Sequence, residues 1–240
     1  MTERGTGPTI TIDAEAAGVP MALARLHRDL DTGASVAVRI AVARDWDGRR
    51  LDDVVVGAGF ETTAEPTGRD ISMRRLLTLP DTVGEGMRLL VCGLNPSIHA
   101  AETGVGFGRP GNRFWPAALA AGIVTADRDP DHALQVHGMG MTDLVKRATR
   151  RAAEIDADEY SSGIDRLNRL VRWLQPAVLC MVGLAGWRAA VDRKATAGPQ
   201  TVSIGDRPVY VMPSTSGLNA HAQLVDLTGH LRAAAATADS

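Results

Sequence analysis

Three unbroken apolar runs mark the chain: "RLLVCGL" (88–94), "AVLCMVGL" (177–184) and "PVYVMPS" (208–214). Runs of that length predict strands buried on both faces, as in the middle of a parallel sheet. Apolar residues recur near every third and fourth position from Glu159 to Leu174, and a second helical pattern covers Asn219 to Ala235. Strands alternating with helices predict an α/β fold, a three-layer α/β/α sandwich around a mainly parallel sheet. Upstream the pattern is finer. A short helix is expected from Met21 to Leu30, alternation over "SVAVRIAVARDW" predicts a strand, and "RRLDDVVVGAGFETTAEP" predicts a helix ending at Gly57 or Gly59 followed by another strand. These pieces make a small N-terminal α/β appendage. Residues 1–20 lack a period and read as a disordered lead-in, and "TLPDTVGEGM" (78–87) has the Pro, Asp and Gly of a linker. The expected division is therefore 1–20 lead-in, 21–80 N-terminal extension and 81–236 main domain.

Composition narrows the class without naming a function. With 45% apolar and 22% charged residues the chain is an ordinary soluble protein, and no apolar run approaches the roughly 20 residues of a membrane span. The polar, acidic start does not resemble a secretory signal, so a cytoplasmic protein is expected. Cys92 and Cys180 lie inside apolar runs and read as core residues; no metal-binding spacing of Cys, His, Asp and Glu is present, and no cofactor is implied. A net charge of −2 excludes a protein that coats nucleic acid by bulk positive charge, yet leaves local contacts open.

In parallel sheets ligands bind beyond the carboxyl ends of the strands, where Asn95 and Ser214 both fall. Each neighbouring motif alone, "GLNPS" (93–97) or "MPSTSGLNAH" (212–221), has an ordinary reading as a turn or a helix cap. Together with "GFGRPGNRFW" (106–115) and "GMTDLVKRAT" (140–149) they resemble, in order and spacing, the mismatch-specific uracil/thymine-DNA glycosylase family of the uracil-DNA glycosylase superfamily. The resemblance runs from about Arg88 to Arg232. A fainter likeness of the stretch 23–61 to the tail of class I methyltransferases comes without a glycine-rich cofactor loop, so no S-adenosylmethionine site is expected.

The glycosylase resemblance implies roles for named positions. Asn95 matches the catalytic asparagine, and Leu94 a backbone contact to the base. Phe107 matches an aromatic that stacks on the extruded base; Ala100 and Ala101 match a small-residue wall, and Ser214 the far side of the pocket. Ser216, Gly217, Leu218 and Asn219 match the loop that enters the duplex, with Leu218 an apolar wedge that needs no hydrogen-bond partner. Arg109, Arg113, Lys146 and Arg147 are candidate phosphate contacts, Asn112 a loop brace, and Asp143 a helix cap. His99, His221 and His230 read as solvated or structural.

The expected activity is hydrolysis of uracil, or another altered pyrimidine such as thymine, from G:U or G:T mismatches after base flipping, leaving an abasic site. The partner is double-stranded DNA with a mismatched or damaged pyrimidine, met by a monomer that associates with the nucleoid when acting. No lysine is placed for a Schiff base, so a monofunctional enzyme is expected. Ser97 stands where the family commonly has glycine, and no arginine follows the wedge. A non-cleaving module that shelters an altered base is the alternative, because Asn95 is a poor proton acceptor. An acyl-transfer enzyme has no "GxSxG" elbow to support it.

Overall fold

The computed structural model describes residues 9–66 and 70–239. The chain first builds a four-stranded sheet from β1 (Ile10–Ile12), β2 (Ser35–Ile40), β3 (Phe60–Thr62) and β4 (Asp70–Arg75), in the order β1-β2-β4-β3. Two helices, α1 (Val19–Asp29) and α2 (Gly48–Gly57), bury its inner face. Alternation decides which residues do so: Ile12, Val38, Ile40, Phe60, Ile71 and Met73 point inward to Val19, Leu23, Val54 and Val55, whereas Arg39 with Asp70 and Arg74 with Glu61 pair on the solvent side. Asp47 caps α2 by accepting from Arg50 N–H at 2.7 Å. Residues 9–20, expected to be a disordered lead-in, instead supply β1 and the start of α1, because Ile12 and Val19 both complete this core. Residues 1–8 of that lead-in lie outside the described residues.

The main sheet comprises β5 (Leu89–Gly93), β6 (Met139–Asp143), β7 (Val178–Val182), β8 (Gly198–Pro199) and β9 (Val209–Met212), in the order β6-β5-β7-β9-β8. All pairs are parallel except β8 with β9. Helices cover both faces, as predicted. Leu89, Val91, Cys180 and Met212 pack toward α4 (Phe114–Ala121), α5 (Pro130–His137) and α8 (Leu224–Ala238). Leu90, Cys92, Met181 and Val211 pack toward α6 (Ala157–Leu174) and α7 (Leu184–Ala190). Cys92 and Cys180 are buried free thiols on opposite faces of the sheet. Among the described residues no helix is long and apolar enough to cross a membrane.

The segment 78–87 is not the loose linker that its Pro, Asp and Gly suggested. Thr82 and Met141 exchange backbone bonds at 2.9 and 2.7 Å, and residues 78–83 are buried against β6. The two sheets are joined by side chains as well as by this segment: Trp46 meets Trp173 edge-on at 5.5 Å, Asp53 pairs with Arg169 at 2.6 Å, and Arg28 pairs with Asp131 at 2.9 Å.

Candidate active site

The carboxyl ends of β5, β6, β7 and β9 open into a cleft of about 270 Å³ lined by Leu94, Asn95, Ala100, Phe107, Asp143, Thr149, Val182 and Ser214 among others. Four loops distant in sequence meet here because parallel strands send their exits to one edge.

Asn95 follows β5 directly. Its Nδ2 donates to the Arg147 carbonyl at 3.0 Å and to Thr149 Oγ1 at 2.8 Å, and approaches the Pro96 carbonyl at 3.2 Å. Thr149 Oγ1 in turn donates to the Arg151 carbonyl at 3.0 Å, so it offers Asn95 a lone pair rather than a proton. With acceptors on that side, the amide is oriented by its network and Oδ1 is left for the cleft. Ser97, the departure from the family pattern, is the N-cap of α3 (Ile98–Thr103): its Oγ accepts from Ala100 N–H at 3.2 Å. That hydroxyl belongs to the helix end rather than to an attacking water.

Phe107 carries φ +55°, the left-handed region that costs a non-glycine residue on the order of 1 kcal/mol or more. One face of its ring stacks on Phe114 at 4.5 Å between centroids, 23° from parallel, while Trp115 Nε1 fixes the Gly106 carbonyl at 2.8 Å. The strain is held by these contacts and leaves the ring at the cleft wall. Asn112 Oδ1 accepts from Phe114 N–H at 2.9 Å, a loop-bracing bond.

Asp143 is the residue that sequence reasoning undervalued. It ends β6, paired in register with Gly93 of β5, and is 6% exposed. A β-carbon at Gly93 would collide with its Oδ1 and lie 3.3 Å from Phe107 Cζ, so carboxylate, ring and strand end converge on one point. Its carboxylate has no hydrogen-bond partner among the described residues. Burial pushes its pKa up to about 6; Lys146 and Arg166 pull it down and Asp81 pushes it up. The position at a parallel strand's carboxyl end, the rule that singled out Asn95, was the available signal. Thr149, Arg150 and Arg151 also line the cleft without having been anticipated.

Other expected residues fall differently. Ala100 lines the cleft, but Ala101, the next residue on α3, is 3% exposed and does not reach it. Arg113 is not a free phosphate contact: its guanidinium donates to the carbonyls of Ala222, Ser216 (2.8 Å) and Asn219 (2.7 Å), bracing the second loop. Lys146 is not one either, since its Nζ is buried against Asp81 Oδ1 (2.7 Å) and the Leu79 carbonyl (2.6 Å). Arg147 pairs with Glu159 at 2.7 Å. Arg109 is exposed at the mouth. His221 precedes α8 rather than lying on it, and His230 bonds Tyr210 Oη at 2.9 Å.

The loop 214–219 is built from short-range bonds. Asn219 Nδ2 donates to the Ser214 carbonyl at 2.8 Å, and Ser216 N–H and Leu218 N–H approach the hydroxyls of Ser214 and Ser216, each at 3.3 Å. Leu218 sits at the tip, 90% exposed. Gly217 approaches the facing loop so closely that a β-carbon would lie 2.8 Å from the Gly111 carbonyl.

The family model of the uracil-DNA glycosylase superfamily matches residues 80–236, the whole of the main sheet with its covering helices. The chain belongs to this superfamily. It is accordingly a DNA glycosylase acting on uracil-type lesions, a hydrolase of base excision repair. Among the described residues no group of three or more His, Cys, Asp and Glu is arranged to hold a metal ion. What the glycosylase cleft offers is a neutral amide oxygen, a carboxylate, an aromatic face and, beside them, an exposed leucine.

Proposed function

We propose that this chain is a monofunctional glycosylase that excises uracil, and related altered pyrimidines, from mismatches with guanine after flipping the base into the cleft. The observation that carries this reading is that Asn95 and Asp143, at the ends of adjacent parallel strands, line one cleft. Leu218 enters the stack as the base leaves, and Phe107 provides a π-face for it. The N-glycosidic bond then breaks, its electron pair leaving on the pyrimidine. Developing negative charge is stabilised by fixed backbone dipoles, which act more strongly on the transition state than on the ground state. Asn95 Oδ1 orients a water toward the sugar C1′; as the C–O bond forms, the water's proton passes to Asp143, and the pyrimidine anion later takes up a proton from solvent. A mismatched pair lowers the unstacking cost of about a few kcal/mol, which favours G:U over A:U.

Hydrolysis rather than lyase chemistry is supported by the lysines. Lys146 is held by Asp81 away from the cleft, and Lys194 is exposed beyond α7. Neither lysine is therefore poised to form a Schiff base.

The test uses labelled duplexes with G:U, G:T, A:U or normal pairs, incubated with the purified full-length protein in EDTA and then heated in alkali. Strand breaks with G:U that disappear on Asn95→Ala are expected. Tight binding to G:U without breaks would replace the enzyme by the sheltering module. Equal cutting of A:U and G:U would remove the mismatch preference.

A further inference from the structure

The superfamily match begins at residue 80, beyond the N-terminal sheet, yet the end of α2 packs on Asp81, next in sequence to the cleft-lining Pro80. Gly57, the last residue of α2, accepts the Asp81 backbone N–H at 2.7 Å. A β-carbon on Gly57 would lie 2.6 Å from Asp81 Oδ2 and 3.1 Å from Arg166 Nη1. The bare glycine thus lets α2 close directly over a buried ion pair.

That pair belongs to a larger group. Asp81 Oδ1 accepts from Lys146 Nζ at 2.7 Å and from Thr142 Oγ1 at 2.7 Å, and its Oδ2 accepts from Arg166 Nη1 at 2.8 Å. Arg166 Nη2 donates to Thr142 Oγ1 at 2.9 Å and to the backbone carbonyl of Asp143 at 3.1 Å. The side chains of Asp81, Arg166 and Lys146 are 3%, 6% and 9% exposed, so water screens them little. Two cations face one anion. Asp143 stands one residue beyond Thr142, and its carboxylate, with no hydrogen-bond partner among the described residues, feels all three charges through space.

We propose that Asp81, Lys146 and Arg166, closed over by the α2 turn at Gly57, form a positioning cluster that sets the charge state of Asp143 and hence the pH range of excision. This rests on Asp143 being the proton acceptor. Charges in a water-poor site interact far more strongly than on a surface, and each near neighbour shifts a carboxylate by about one pH unit or more. The cations favour the ionised acceptor, while Asp81 and burial oppose it. The other groups near Asp143 are the Cys92 thiol on β5, kept neutral because burial pushes its pKa well above the ordinary value, and Arg109, Arg150 and Arg151 around the cleft.

The experiment is single-turnover excision from a G:U duplex over about pH 5 to 9, with full-length variants, beside ¹³C NMR titration of the Asp143 carboxyl. Lys146→Met should move the acid limb and the carboxyl titration upward by about one pH unit, and Lys146→Arg should return both to the wild-type position. Asp81→Asn should move both downward, and Gly57→Val, which pushes the Asp81 carboxylate aside, should follow it. A purely structural role would lower amplitude without displacing the limbs in opposite directions. Unmoved titrations in Lys146→Met and Asp81→Asn, or shifts of the same sign in both, would overturn the cluster. If Asp81→Asn does not fold, the Lys146 variants decide alone. Asp143→Asn separates the two ideas: if it keeps wild-type activity and profile, the acceptor assignment fails, and the carboxyl titration still judges the cluster.

Discussion

Leu218→Ala isolates the wedge. At 90% exposure this side chain contributes almost nothing to the fold, so the substitution should leave the melting temperature unchanged. In the proposed complex the same side chain fills the gap left by the base, and removing three of its carbons forfeits about 0.8 kcal/mol each, or about 2.4 kcal/mol in total. Because that contact exists only once the base is out, the loss falls on the flipped state and lowers single-turnover kcat/KM by about 60-fold. The assay compares uracil in a G:U duplex with uracil in a single strand, where there is no gap to fill. A defect of about 60-fold in the duplex and less than about 3-fold in the single strand is expected. An equal defect in both, or a lowered melting temperature, would refute the argument by showing that Leu218 supports the loop instead.

Four further outcomes follow from the structure. Asp143 has a folded pKa of about 6, above its unfolded value of 3.8, so the ionised carboxylate is a burden that grows as pH rises through that interval; Asp143→Asn should raise stability by up to about 3 kcal/mol at pH 8 and not at pH 3, while abolishing the acid limb of excision. Burial lowers the His27 pKa from 6.5 to about 4, so its contribution is intact above pH 6.5 and lost as pH falls toward 4; thermal melts should show a loss approaching about 3 kcal/mol across that window, flattened in His27→Phe. Arg109→Ala should reduce the slope of log affinity against log salt by about 0.9 if it neutralises one phosphate, whereas Arg113→Ala should lower stability and disorder the wedge loop, because its guanidinium serves three carbonyls.

The central strands were legible because parallel, two-sided burial writes itself as continuous apolar sequence. β6 was not: "MGMTD" is short and polar at its end, with Gly140 where the segment 78–87 crosses closely. α3 and α4 lie in a glycine-rich passage without a period, and their ends, the Ser97 N-cap and the left-handed Gly104 and Gly122, emerge only in the structure. The place of Asn95 at the cleft was legible because its motif is local. Asp143 and Lys146 were misread for one reason: their setting depends on Asp81, more than 60 residues upstream, and on Arg166 from α6, and no local pattern records such a meeting. Likewise Pro, Asp and Gly are shared by exposed turns and by a buried extended segment, and only the partners of residues 78–83 distinguish them.

The close approach of Gly217 to Gly111, with Arg113 tied to the carbonyls of the wedge loop, joins the blade and the receptacle into a single jaw. Neither can swing open for the other without breaking shared bonds, so in the proposed capture the deformation would fall on the duplex. Under the proposed function, a tool this stiff would sort its substrates by their compliance: the base pairs that yield would be those already close to opening, and discrimination would begin in the mechanics of the DNA before any group on the pyrimidine is read.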